Sequence, residues 1–183
     1  MKKIIYAFCV AVMFVNCYRD SSDFWAERMP HVGADAPQFE LLAHDSTKIQ
    51  INNLKKRSVL YFLSVESMST DSLSFCGFRT NMTEIDSLRA KVFIVTDESP
   101  AANKQIRQNY SIPFTLLSDT DKTVCNTYGV LEDDGSIHPA LFIFDECGKV
   151  HAVFPVFNPR QQFQDVMRIL RLMSDNGRTM FSA

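Results

Sequence analysis

The chain is predicted to fold as an α/β domain, a central mixed sheet flanked by helices. Three observations carry that expectation. Val59-Leu60-Tyr61-Phe62-Leu63 is an unbroken β-rich apolar run, the pattern of a central strand buried on both faces. After it, strand-like and helix-like periodicities alternate, which implies parallel strands joined by helical crossovers. Pro159 then opens an amphipathic segment able to cover one face of the sheet.

Taken in order, Phe39–Leu42 and Ile49–Ile51 read as short strands around the polar turn His44-Asp45-Ser46. From about Asp71 to Leu88 the residues Phe75, Phe78, Met82, Ile85 and Leu88 return at helical intervals, so one helix follows the central strand. Next come strand Val92–Val95, helix Ala101–Tyr110, strand Phe114–Leu117 and a short helix Lys122–Tyr128. Leu141–Phe144 and Val150–Phe154 flank the turn Asp145-Glu146-Cys147-Gly148 and form a hairpin. The last helix reaches about Met173. This order is thioredoxin-like and assigns the domain to residues 32–174, with 175–183 as a flexible tail.

Length and composition bound the function. A chain of 183 residues, 46% hydrophobic and 22% charged, suits one domain with a sizeable core and a short appendage. Its formal net charge of -2 offers no basic excess to attract phosphates, which argues against a nucleic-acid or polybasic membrane surface.

The N-terminus reads as a targeting segment over residues 1–17. Lys2 and Lys3 precede the apolar run Ile4–Val15, too short to span a bilayer and suited to a secretory signal. Cys17 follows directly, as does the lipid-modified cysteine of bacterial lipoproteins, although Phe14-Val15-Asn16 lacks the usual small residues. A plain signal cleaved nearby or an uncleaved anchor are the alternatives. The expected location is the bacterial periplasm, or the cell envelope with a lipid on Cys17 as the membrane anchor. Residues 18–31 then form a solvated tether, except that Phe24 and Trp25 can rest on the domain or on the membrane surface.

Removing residues 1–17 leaves Cys76, Cys125 and Cys147. That odd number in an oxidising compartment leaves at least one thiol free or paired outside the chain. Neither Cys-x-x-Cys nor a Cys/His cluster of zinc spacing is present, so no metal is expected, and no cofactor either.

Three separated stretches carry a family resemblance: Phe75-Cys76-Gly77-Phe78-Arg79, Pro113-Phe114-Thr115-Leu116-Leu117-Ser118-Asp119 and Val124-Cys125-Asn126-Thr127-Tyr128-Gly129-Val130. In this order and spacing the chain resembles the peroxiredoxins, nearest the bacterioferritin comigratory protein type, over about residues 32–172. The resemblance implies a thioredoxin-like fold, thiol-dependent peroxide reduction and a thioredoxin-like reductant. In that chemistry a thiolate in the first turn of the helix after the central strand is stabilised by free N–H groups and the helix dipole. A threonine, an arginine and the backbone hold the peroxide and stabilise the leaving oxygen. The sulfenic acid then condenses with a second thiol.

Carried onto this sequence without a gap, the attacking cysteine becomes Asp71, the threonine Met68, the strand-end proline Ser64 and the arginine Pro139, with His138 beside it. Cys76 alone matches, at the resolving position. Asp71 suits a helix N-cap, the alternative being a catalytic acid or base. Cys76 is either a packed hydrophobe or the sole reactive thiol. Cys125 reads as core-facing and Cys147 as an exposed turn residue. His138 is a solvated loop residue or a polar stand-in for the arginine.

Three functions follow: a degenerate redoxin acting through Cys76, with Cys125 as a candidate partner; an inactive tethered binding or assembly module; and thiol–disulfide exchange between Cys76 and an exported client.

Overall fold

The computed structural model describes residues 21–51, 55–65, 76–155 and 157–179. The expected signal segment, Cys17, Met68 and Asp71 lie outside the described residues. The elements run α1 (Ser21–Arg28), β1 (Glu40–Ala43), β2 (Lys48–Gln50), β3 (Arg57–Phe62), α2 (Cys76–Thr80), α3 (Met82–Ser87), β4 (Ala90–Thr96), α4 (Pro100–Asn109), β5 (Thr115–Ser118), α5 (Thr123–Thr127), β6 (Ala140–Phe144), β7 (Val150–Phe154) and α6 (Pro159–Thr179).

The apolar run at Val59–Leu63 does what its composition requires. All residues of β3 are buried, between β4 and β6 in a seven-stranded sheet ordered β2-β1-β5-β4-β3-β6-β7. The βαβ alternation gives parallel pairs β3–β4 and β4–β5, while β6 runs antiparallel to β3 and to β7. Alternate side chains of β3 serve two cores. Val59, Tyr61 and Leu63 pack with Phe78, Ile85, Phe163, Val166 and Leu170 on one face. Leu60 and Phe62 pack with Trp25, Cys125, Tyr128 and Phe142 on the other.

The helix expected over 71–88 is broken within its described part, where α2 and α3 meet at Asn81. The Asn81 Nδ2 donates to the Gly77 carbonyl at 2.8 Å and the Thr80 hydroxyl to the same oxygen at 3.2 Å. These side chains compete with the backbone for the helix's own acceptor, the usual reason for a break at such residues. At the C-terminus, Met173 is buried and Asp175 exposed, yet the helical backbone continues to Thr179, so residues 175–179 of the expected tail are helical.

The larger departure lies in residues 18–31, where a solvated tether is expected. Ser21–Arg28 is helical, and Trp25 is only 5% exposed and Met29 equally so. Helical geometry explains the difference: positions four apart share a face, so Trp25 and Met29 enter the core together. The domain is shaped to receive them. Gly129 has φ +69° and its missing side chain leaves room for the Arg28 carbonyl, while the Arg28 Nη2 donates to the Leu131 carbonyl at 3.0 Å.

Gly129→Ala combines a left-handed backbone with a clash against Arg28. It is expected to cost about 1–2 kcal/mol or more. Denaturant unfolding followed by the emission of Trp25, the chain's one tryptophan, measures both the loss and any release of α1.

Candidate functional site

The β3–β6 register pairs Phe62 with Ala140. The chain leaving β3 at Leu63 and Ser64 therefore emerges beside Pro139 and His138, which precede β6. Two positions inferred separately from the sequence, Ser64 and Pro139, thus belong to one end of the sheet. The corner is held by backbone bonds: the Leu63 N–H donates to the Val95 carbonyl at 3.1 Å and the Phe157 N–H to the Pro139 carbonyl at 3.0 Å.

Cys76 begins the described part of α2. That helix lies close against α6, because a Cβ on Gly77 would stand 2.9 Å from the Phe163 ring, a distance only glycine permits. One residue on, Phe78 is buried and meets Phe163 and Phe114 edge-on at centroid distances of 4.8 and 5.8 Å. The backbone of Cys76 is thereby fixed on the α6 face of the sheet. Asp71 and Met68 lie outside the described residues.

His138 is neither solvated nor available. Its side chain is 13% exposed, its Nδ1 lies 2.9 Å from a Glu132 carboxylate oxygen and its Nε2 lies 2.9 Å from the Pro155 carbonyl. The imidazole thus lies between a carboxylate and a backbone carbonyl, with a partner at each ring nitrogen. The Trp25 indole stacks on the imidazole, with centroids 3.9 Å apart and planes 16° from parallel. Arg28 closes the group with its guanidinium 5.0 Å from the Trp25 ring, a cation–π distance. The imidazole beside Pro139 is therefore covered by the chain's own N-terminal helix, and both of its ring nitrogens are engaged within the chain.

The remaining described thiols stand away from α2. Cys125 is fully buried in the core on the opposite face of the sheet. Burial, and then the Asp119 carboxylate beside it, push its thiol far above the ordinary cysteine range. Asp119 is there for another reason: its two oxygens accept from the Val124 and Cys125 N–H groups at 3.1 and 2.7 Å, capping α5. Cys147 is exposed in the β6–β7 turn, beyond the Phe144–Ser58 end of the sheet and so opposite the Phe62–Ala140 end. Cys125 and Cys147 are both free thiols. Cys125 lies in the core on the face of the sheet opposite the one that α2 covers.

Among the described residues no group of His, Cys, Asp and Glu could hold a metal ion, and no helix is long and apolar enough to cross a membrane. A groove of about 240 Å³ between β1 and α5 is lined by Phe39, Leu41, Asp121 and Tyr128 among others. It contains no thiol.

Reading the sequence alone missed the contact of Trp25 with His138 and the two acceptors on the imidazole. No local signal announces them, since even the Arg28–Leu131 bond joins residues 103 positions apart. The cap at Asp119 had a weak signal, an aspartate shortly before a short helix.

Comparison with known proteins places this architecture in its class. The pattern of the AhpC/TSA family matches residues 32–153. The putative peroxiredoxin bcp of Coxiella burnetii is 33% identical over 132 residues, covering 68% of this chain and 87% of that protein. Peroxiredoxin Bcp of Escherichia coli is 28% identical over 148 residues, covering 76% and 94%. Among solved structures, peroxidoxin BcpB of Mycobacterium tuberculosis superposes with a TM-score of 0.71 at 21% identity, covering 78% of this chain and 97% of that one. Such proteins have a thioredoxin-like fold and a thiol-based peroxide chemistry. The chain belongs to the AhpC/TSA family, the peroxiredoxins, and its relatives are of the Bcp type.

Two outcomes are expected from this geometry. In the folded protein a maleimide labels Cys147, while Cys125 reacts only as the chain unfolds; labelling against denaturant concentration, read by peptide mass spectrometry, checks it. His138→Ala strips donors from Glu132 and the Pro155 carbonyl and is expected to cost about 1–3 kcal/mol, with a red shift of Trp25 emission.

Proposed function

We propose that this chain is an exported redoxin of the peroxiredoxin family, anchored through Cys17, whose peroxidase site is degenerate and whose thiol chemistry runs through Cys76. The observation that carries the reading is the corner before β6. Pro139 stands where the family's arginine is expected, and the neighbouring His138 has both ring nitrogens engaged, by Glu132 and the Pro155 carbonyl. Neither ring nitrogen of His138 is left to take over from that arginine in stabilising the departing oxygen. Losing one such donor typically costs about 2.7–4 kcal/mol, or 10²–10³ in rate. The sequence adds Asp71, Met68 and Ser64 at the other positions.

Cys76 is the thiol that this arrangement leaves in play. Cys125 is desolvated, and Cys147 sits at the other end of the sheet. With a peroxide, the Cys76 thiolate would attack one oxygen, giving a sulfenic acid and releasing the other oxygen as hydroxide. A thioredoxin-like dithiol would then reduce the sulfenic acid to thiol and water, itself becoming a disulfide. Exchange with a disulfide in an exported client uses the same thiolate without peroxide. Export rests on Lys2, Lys3, the apolar run Ile4–Val15 and Cys17.

Hydrogen peroxide consumption by the pre-reduced protein, beside Cys76→Ser, tests the reading. Slow consumption near the rate of an ordinary thiol, lost in the variant, is expected. Fast turnover that the variant abolishes would refute the degenerate site. Equal rates in both would remove Cys76 from the chemistry and leave a redoxin scaffold that works by binding.

A further inference from the structure

We infer that His44, Lys104 and Arg107 form a binding site for a phosphate group at the end of the sheet opposite the Phe62–Ala140 pair. The inference does not depend on the redox chemistry proposed above. This is the end where β3, β4 and β5 begin, so the strands separate it from the corner before β6.

Strand geometry supplies the first step. The pairing of β1 with β5 ends at Ala43 and Leu117, where the chain turns away. His44 keeps hold of β5. Its N–H donates to the Leu116 carbonyl at 2.9 Å, and its Nδ1 accepts from the Leu116 N–H at 3.4 Å. Arg107 on α4 reaches the same edge, where its Nε donates to the Phe114 carbonyl at 3.1 Å. Residues two apart in an extended strand turn their backbone groups to one edge, so the imidazole and the guanidinium stand as neighbours along it. Lys104 precedes Arg107 by three positions and shares its face of α4.

What these groups lack supplies the second step. Anchoring Nδ1 leaves the proton of the neutral His44 ring on Nε2, and anchoring Nε leaves the Arg107 Nη atoms as donors. Among the described residues no acceptor pairs with these atoms, and no carboxylate forms an ion pair with Lys104 or Arg107. Asp45, next to His44, is spent on the Thr47 N–H and hydroxyl at 3.0 and 2.6 Å. The cations therefore press on one another. Burial first, and then the charge of Arg107, hold the half-buried His44 ring below the usual histidine range. Lys104 adds to that effect, while Asp45 and the Leu116 backbone oppose it. A phosphate relieves the repulsion and offers acceptors to the imidazole, the guanidinium fork and the ammonium together. The formal charge of -2 sums the whole chain, whereas a local group of cations creates its own field.

Phosphate beside the imidazole favours its charged form, which makes His44 the reporter. The protein recovered from cells is kept in a nonionic detergent, and the ring protons of its four histidines are followed by NMR against pH. Chloride and inorganic phosphate are compared at equal ionic strength, with the His44 signal assigned by its loss in His44→Gln. A higher His44 pKa in phosphate than in chloride is the expected result, so that phosphate binds more tightly as pH falls through that titration. Lys104→Ala is expected to weaken phosphate about three- to fivefold, the loss of one exposed charge. Lys91→Ala, which removes an exposed cation at the same end of the sheet, leaves the affinity unchanged. Phenyl phosphate distinguishes the source: tighter binding than the free ion marks a phosphate carried on a larger ligand, and binding no tighter marks the ion itself. Equal His44 pKa values in phosphate and chloride would mean screening alone and would overturn the site. So would a phosphate affinity untouched by Lys104→Ala, or weakened equally by Lys91→Ala.

Discussion

Burial of β3 on both faces is the constraint from which the rest of the molecule follows. Its side chains alternate between two cores, and each fully buried large residue, such as Leu60 or Phe62, contributes about 1.5–3 kcal/mol. A slip of one residue would send Val59, Tyr61 and Leu63 into the core built for Leu60 and Phe62. Register is therefore fixed, and with it the pairing of Phe62 with Ala140. That single pair brings the end of β3 to the start of β6 and decides which loops share a corner.

The same layering sorts the thiols. With α2 on the α6 face and α5 on the other, the sheet stands between Cys76 and Cys125, and the hairpin carries Cys147 to the far end. A cysteine held among Leu60, Phe62, Tyr128 and Phe142 beside the Asp119 carboxylate is kept as a neutral thiol. It fills space as a small hydrophobe does. The acid beside it serves the helix as well as the sulfur, since its two oxygens accept from N–H groups of α5.

Elements driven by local periodicity were legible in the sequence. Strand β3, the hairpin β6–β7 and the helix opened by Pro159 rest on patterns of two or three to four residues, which a linear reading registers. The break at Asn81 was not legible, because it depends on side chains turning back onto the Gly77 carbonyl while the apolar spacing runs on unbroken. Nor was α1, a short helix with few apolar residues, whose order comes from tertiary partners. Phe24 and Trp25 stood out as apolar residues in a polar stretch, yet only the fold reveals that Trp25 stacks on His138, that Gly129 receives the Arg28 carbonyl and that Phe24 stays exposed. The site divides in the same way. Residue types at Ser64 and Pro139 were readable from spacing, whereas the engagement of His138 was not.

The corner before β6 cannot serve two purposes at once. A peroxide site needs donors that are rigid, dry and unspent at the moment the leaving oxygen develops charge. Here the His138 imidazole spends one nitrogen on Glu132 and the other on the Pro155 carbonyl, and an indole covers its face. Freeing His138 to act would break both hydrogen bonds, each worth about 0.5–1.5 kcal/mol and more where a carboxylate is the acceptor, and would also unstack Trp25. The bonds that immobilise the imidazole make it a firm platform for α1, whose Trp25 stacks on it, so that the helix belongs to the domain's packed core.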